Sequence, residues 1–90
     1  MKRTMVSISL SPEGMGKIKA TPELQQAEMQ FINDWKEQRI LESFFITTNR
    51  TGAFLVFNGV DGDRLRELIG NLPYFPFMSK VEYFELDKQF

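Results

Sequence analysis

The stretch LPYFPFM, residues 72–78, combines two prolines, three aromatic residues, a leucine and a methionine, and it contains no charge. Connecting segments normally run over the protein surface and are polar. A segment this apolar must therefore lie against the protein's own core, a partner subunit or a ligand. We interpret it first as an interface between subunits. The second interpretation is a pocket wall, in which Tyr74, Phe75 and Phe77 stack on a flat ligand.

The residues on either side of this segment predict a helix before it and a strand after it. Asp61 is expected to cap the helix, and Val60 to pack on its first turn. Gly70 and Pro73 are helix-ending residues. Residues 80–86 predict the strand. The apolar residues with helical spacing, which predict the buried face of the helix, are Leu65, Leu68, Ile69 and Leu72.

The N-terminal half predicts a strand, a loop and a second helix. Apolar residues alternate with polar ones over residues 3–10, which is the period of a strand with one face in the core. Residues 11–20 contain one proline and two glycines and are interpreted as a loop. Thr21 is expected to cap a helix that starts at Pro22. Its predicted buried stripe consists of Leu24, Ala27, Phe31, Ile32 and Trp35.

The middle of the chain predicts a β-hairpin, with strands over residues 40–48 and 53–58 and a turn at 49–52. The resulting order, βαββαβ, predicts an α+β ferredoxin-like domain spanning residues 1–90, with two helices on one face of a four-stranded antiparallel sheet. Neighbouring apolar residues such as Phe44 and Phe45 place hydrophobic side chains on both faces of the hairpin. We therefore expect a second copy to pack sheet against sheet and form a dimeric α/β barrel.

Composition narrows the classes of function. The net charge of −1 gives no electrostatic basis for binding nucleic acid or an anionic membrane. There is no Cys, and therefore no thiol nucleophile or disulfide, and there is no His, the usual acid–base group and metal ligand near neutral pH. No continuous apolar run predicts a signal peptide or a membrane span. We expect a cytoplasmic protein whose partners are its own copies and a small organic ligand.

With this order of elements, residues 72–78 resemble the Leu-Pro-aromatic-Phe-Pro-aromatic-Met segment of the muconolactone isomerase family. The resemblance extends to Leu55-Val56-Phe57-Asn58 and to Lys17 and Lys19. It implies a bacterial protein that assembles from dimers, in the named enzyme into larger rings. It also implies an activity: the enzyme moves a proton within an unsaturated lactone during catechol breakdown and needs no cofactor. This chain departs from the enzyme because it has no His, and residues 41–51 contain only Glu42 and Arg50 as ionisable groups.

The candidate site residues follow from these patterns, each with a structural alternative. Glu42 is the catalytic candidate, as a carboxyl group whose pKa is raised in a dry pocket; the alternative is a residue that faces solvent at the strand start or pairs with a lysine. Lys17 or Lys19 is the candidate to hold an anionic substrate, and Arg50 to clamp a carboxylate. Ser7 and Ser9 are candidates to donate hydrogen bonds into the pocket. For these five residues, the alternatives are surface positions or, for the serines, small residues that let two sheets approach.

Two functions are consistent with the sequence. One is a muconolactone isomerase-like protein that binds a small anionic organic molecule and catalyses a cofactor-free proton shift. The alternative is a non-catalytic ligand-binding or assembly module of the same fold. We expect a polar pocket with an inward Glu42 in the first case, and a pocket filled by Phe and Met side chains in the second.

Overall fold

A computed structural model describes residues 2–90. The elements in chain order are β1 (Arg3–Leu10), α1 (Pro12–Ala20), α2 (Pro22–Glu37), β2 (Leu41–Ile46), β3 (Gly52–Asn58), α3 (Gly62–Gly70), a 3₁₀ turn (Phe75–Phe77) and β4 (Met78–Leu86). The four strands form one antiparallel sheet in the order β2-β3-β1-β4. The α+β, ferredoxin-like fold predicted from the sequence is confirmed, with one additional helix.

The core lies between the helices and the inner face of the sheet. Its fully buried residues come from β1, β3 and α3, and α2 contributes Trp35, whose ring meets that of Phe57 edge-on at a centroid distance of 5.5 Å. The predicted buried face of α3 is confirmed, because Leu65, Leu68, Ile69 and Leu72 are all buried. Asp61 caps α3 as expected, since its Oδ1 accepts a hydrogen bond of 2.9 Å from the Arg64 N–H.

The prediction of a loop over residues 11–20 is wrong. Ser11 caps α1 by accepting the Gly14 N–H at 3.0 Å, and Pro12 occupies the first turn, where a proline costs no hydrogen bond. Gly14 is needed for packing rather than for a turn. A Cβ atom at this position would lie 2.5 Å from Cβ of Phe77, so α1 can approach the aromatic segment only without a side chain there.

The predicted buried stripe of α2 is correct in part. Ile32 and Trp35 are buried, but Ala27 is exposed and Phe31 remains 36% exposed. The third buried residue of this helix is Glu28, one turn before Ile32. The inner face of α2 therefore differs from the predicted stripe and includes a carboxyl group, which belongs to the site described below.

The hairpin and the strand after the aromatic segment are present with shifted ends. The β2 strand spans Leu41–Ile46 rather than residues 40–48, and β4 begins at Met78 rather than Lys80. The pairing of β2 with β3 is irregular between Leu41 and Ser43, so one extra residue, Glu42, is accommodated there. Arg50 in the turn adopts a positive φ of 63°.

No helix of residues 2–90 covers the second face of the sheet. Its side chains include Phe45 from β2, Phe54 from β3, and Met5 from β1 beside Phe84 from β4. Phe45 is 60% exposed, and Phe54 and Phe84 are also exposed. We call this surface the open face. In residues 2–90, no helix combines the length and hydrophobicity required to cross a bilayer.

Candidate functional site

A pocket of about 360 Å³ lies between the inner face of the sheet and the helices α1 and α2. Strand side chains such as Ile8, Phe44 and Leu55 form its floor, and Met15 and Met29 line it from the helices. Leu72, Tyr74 and Met78 of the aromatic segment close one side. Most lining groups are apolar, and the volume falls in the range of small-molecule sites. The pocket therefore suits a small organic molecule with a large apolar surface.

Glu28 is the buried acidic residue among those that line this pocket. Glu28 is only 8% exposed, and its Oε1 accepts a hydrogen bond of 3.0 Å from the backbone N–H of Tyr74. Burial raises the pKa of this carboxyl group to about 7, because the charged form loses its hydration, and the Tyr74 hydrogen bond opposes the shift only in part. Near neutral pH the group is therefore able both to accept and to donate a proton.

Two cationic side chains, Lys19 and Arg50, also line the pocket. Lys19 lies at the end of α1 and Arg50 in the hairpin turn, and both are exposed, which places them where the pocket meets solvent. Gln25 lies on the same side, and its Nε2 donates to the carbonyl of Ile18 at 2.9 Å. The mouth of the pocket is therefore positive, and its interior contains an acid.

Tyr74 connects the aromatic segment to the pocket. Tyr74 is one of the residues that line the pocket, and its backbone N–H donates to Oε1 of Glu28. The pKa of its hydroxyl group is raised, mainly by burial and also by the nearby Glu28 carboxylate. The hydroxyl group is therefore protonated at neutral pH and is a potential hydrogen-bond donor.

Glu42 is exposed and paired with a cation, which is closer to its structural alternative than to a place in a dry pocket. This residue lies beside the open face, where Nε of Arg3 donates to its two carboxylate oxygens at 3.1 and 2.9 Å. The Arg3 guanidinium lowers the pKa of Glu42 instead of raising it. Glu42 is the extra residue in the irregular pairing of β2 with β3, and its carboxylate reaches Arg3 on β1. A catalytic role for Glu42 remains a prediction.

Of the eight predicted substrate-binding residues, three are brought together at the pocket: Lys19, Arg50 and Tyr74. The others do not line it. Lys17 is exposed on α1, and Ser7 and Ser9 lie on the open face, as their place in β1 predicted. Phe75 is 44% exposed and Phe77 packs near Gly14. Whether any of the eight binds a ligand remains a prediction.

Glu28 is the residue that the sequence interpretation missed. Its signal is present, because Glu28, Ile32 and Trp35 have the i, i+4, i+7 spacing of one helical face. The predicted stripe contains Ala27 and Phe31 in place of Glu28, because a fully apolar face is the usual arrangement for a core helix. Among residues 2–90, no group of three or more acidic side chains could hold a metal ion.

Comparisons with known proteins identify the fold but no sequence family. No protein-family model matches the chain, and no curated protein matches it. A solved structure of 5-chloro-2-hydroxyhydroquinone dehydrochlorinase, TftG, from Burkholderia phenoliruptrix AC1100, in complex with 2,5-dihydroxybenzoquinone, is similar with a TM-score of 0.76. The two chains are 12% identical, and the match covers 94% of this chain and 93% of TftG.

The C-terminal domain of the MgtC protein from Mycobacterium tuberculosis is similar at a TM-score of 0.51, with 13% identity, over 96% of this chain and 88% of that one. Identities this low mean that the likeness to both proteins is one of fold. The chain therefore has the ferredoxin-like α+β fold of TftG.

Proposed function

We propose that this protein binds a small anionic organic molecule in the pocket between the sheet and α1 and α2, and that the bound molecule undergoes a cofactor-free proton shift. The observation that supports this most directly is the pocket itself. It is largely apolar, it has the volume for one small molecule, and Lys19 and Arg50 provide positive charge at its mouth. A ligand with an apolar body and a carboxylate or enolate group at one end matches this arrangement.

The resemblance to the muconolactone isomerase family supports the same ligand class, because its unsaturated lactone carries a carboxylate. TftG, which shares the fold, was solved with 2,5-dihydroxybenzoquinone, a single oxygenated ring. Both molecules are compact, oxygen-rich and cyclic. They are therefore the natural first probes for the pocket.

We further propose that the protein forms homodimers or larger rings through the open face. Its centre is apolar, with Phe45, Phe54 and Phe84 exposed. Charged groups at its margin are already paired within the chain, Arg3 with Glu42 and Lys80 with Glu82. A surface of this kind needs a partner that is also apolar and nearly uncharged at its centre, and a second copy supplies such a surface by symmetry.

The alternative function, a non-catalytic ligand-binding or assembly module, is favoured by a separate observation. Three methionines, Met15, Met29 and Met78, line the pocket together with Phe44. Flexible methionine side chains adapt to different apolar ligands, as expected of a carrier. In this alternative the molecule binds and leaves unchanged.

Titration of the ¹⁵N-labelled protein with muconolactone and with 2,5-dihydroxybenzoquinone tests the proposal by NMR. We expect shift changes at the pocket residues, and a dissociation constant raised about tenfold in the Lys19→Gln/Arg50→Gln double variant. Lys17→Gln is the matched comparison on the same helix, and from its position outside the pocket we expect unchanged affinity. The absence of pocket shifts with both probes at millimolar concentration would contradict the proposed ligand class.

A further inference from the structure

The α1 helix covers the pocket but buries little apolar surface of its own. Met15, Ile18 and Lys19 line the pocket from this helix. Its main packing partners are α2 and the 3₁₀ turn, and its buried residues are Gly14 and Ile18. The α3 helix, which also has nine residues, buries three large apolar side chains instead. The cover of the pocket is therefore held by much less apolar contact than a helix of equal length in the same fold.

The floor of the pocket is closed to solvent while α1 is in place. Ile8 and Leu55 are only 6% and 1% exposed, although both line a cavity of about 360 Å³. A ring-sized molecule cannot reach this floor through gaps that leave Leu55 almost inaccessible to water. Part of the cover must therefore move before such a ligand enters.

Gly16, in the middle of α1, has no packing reason to be a glycine. A Cβ atom at this position would have nothing within 4 Å, whereas a Cβ atom at Gly14 would meet Phe77. A glycine inside a helix lowers its stability relative to alanine, because the glycine backbone loses more conformational freedom on folding. Gly16 thus weakens α1 without improving its packing, as expected of a helix that unwinds in use.

Few attachments join α1 to the rest of the protein. At its start, the Ser11 N–H donates to the carbonyl of Phe77 at 2.9 Å. At its end, Thr21 alone separates α1 from α2, with φ −129° and ψ 82°. The last turn is tied to α2 by the hydrogen bond of 2.9 Å from Nε2 of Gln25 to the carbonyl of Ile18. These attachments define the two ends of a segment that is able to open by itself.

We propose that α1 is a lid that unwinds between Ser11 and Thr21 to admit the ligand and then re-forms over it. The inference rests on the proposed function, because it concerns how a ligand reaches that pocket. The ligand contacts Met15, Ile18 and Lys19 only when the helix is formed, and this difference in contacts favours closure. Because Lys19 belongs to the lid, an anionic ligand favours the closed form more than a neutral molecule of the same shape.

Hydrogen exchange in the free protein tests whether α1 opens by itself. We expect the hydrogen-bonded amides of α1 to have protection factors at least about tenfold lower than those of α3, because they exchange through local unwinding. Gln25→Ala, which removes the hydrogen bond to Ile18, should lower the protection of α1 by a further two- to tenfold or about that. Protection of α1 equal to that of α3 would overturn the proposal.

Binding kinetics test whether this opening admits the ligand. Line-shape analysis of the NMR titrations with 2,5-dihydroxybenzoquinone and muconolactone gives the association and dissociation rate constants. Gly16→Ala stabilises the formed helix in both the free and the bound protein. Both rate constants should therefore fall by about two- to fivefold, while the dissociation constant stays within about twofold of the wild-type value.

Gly70→Ala is the matched control. A Cβ atom at Gly70 also has nothing within 4 Å, and this residue lies on α3 outside the pocket. Its rate constants should equal those of the wild type. In addition, saturation of the wild-type protein with either probe should raise the protection of α1 more than that of α3.

The outcomes distinguish the lid from the proposed function. Normal binding with unchanged rate constants in Gly16→Ala would overturn the lid and leave the proposed function standing. A changed dissociation constant with an unchanged association rate would also overturn it, because Gly16 would then act on the bound state alone. Binding of neither probe at millimolar concentration counts against the proposed function, and the lid fails with it.

Discussion

The buried carboxyl group of Glu28 predicts that the folded protein loses stability as pH rises through neutrality. Its pKa is about 7 in the folded chain, compared with an ordinary value of 4.5. Between these values the folded state holds a proton that the unfolded state has released. The free energy of unfolding therefore falls with increasing pH across this window, and it becomes constant once both states are ionised.

The size of this loss of stability follows from the size of the pKa shift. One pKa unit corresponds to about 1.4 kcal/mol, so the shift of Glu28 corresponds to about 3 kcal/mol between pH 4.5 and pH 8. This is a large share of the ~5–15 kcal/mol that stabilises a typical domain. The window is free of interference from other side chains of ordinary pKa, because the chain contains neither His nor Cys.

Glu28→Gln should remove this pH dependence of stability while keeping the hydrogen bond from the Tyr74 N–H. A glutamine at this position retains a side-chain oxygen for the Tyr74 N–H but has no charge to desolvate. We expect this variant to be more stable than the wild type by about 2–3 kcal/mol at pH 8 and nearly equal to it at pH 5. Urea unfolding monitored by the fluorescence of Trp35, which is buried in the core, gives both values.

Glu23→Gln provides the background for this comparison, since it removes an exposed carboxylate from the same helix. Its stability should follow the wild-type profile from pH 5 to pH 8. A wild-type profile that is flat or rising over this range would refute the argument, because it would mean that Glu28 is ionised in the folded protein at little cost.

Four further outcomes are expected. Gly14→Ala should lower the free energy of unfolding by about 1–3 kcal/mol, because its Cβ would lie 2.5 Å from Cβ of Phe77. Gly16→Ala, whose Cβ would have nothing within 4 Å, should raise it by about 0.5–1 kcal/mol. Denaturant unfolding compares the two variants, and equal effects would contradict the contact. Phe57→Ala should lower the free energy of unfolding by about 3–5 kcal/mol, because its ring is fully buried. Phe75→Ala should lower it by less than about 1.5 kcal/mol within one chain, because 44% of Phe75 is exposed. A larger loss for Phe75→Ala, accompanied by dissociation, would place that ring in a subunit interface. Light scattering coupled to size exclusion should give a dimer or larger species, and a particle of 10.5 kDa at micromolar concentration would contradict the proposed use of the open face. Turnover of muconolactone by the purified protein should stay below about 1 per second, because no His is present to assist, and turnover at ~1–10³ per second would contradict this.

Much of the fold could be predicted because hydrophobic periodicity is a local property. The alternation in residues 3–10 gave both ends of β1 correctly, and the apolar repeat from Leu65 to Leu72 identified the buried face of α3. The α1 helix was not predicted, because Gly14 has a low helix propensity and its reason for being there lies in Phe77, more than sixty residues away. A contact of that kind has no local signature.

The candidate site was predicted less well, for a related reason. Lys19, Arg50 and Tyr74 were chosen for their residue types, and the fold brings them to one pocket. Glu28 was missed because a charged residue on the inner face of a helix contradicts the expectation of an apolar stripe. The sequence left open which face of the strand Glu42 occupies, because strand alternation does not reveal where an extra residue in β2 is accommodated.

The hydrogen bond from Tyr74 to Glu28 has a consequence for how the chain can diverge during evolution. A backbone N–H is present at position 74 whatever the side chain, except proline, so the aromatic ring can change while the acid stays anchored. The side chain of residue 74 and the position of the Glu28 carboxyl group can thus change independently. Descendants of this sequence can alter the wall of the pocket by exchanging residue 74 and still keep a carboxyl group in the same position.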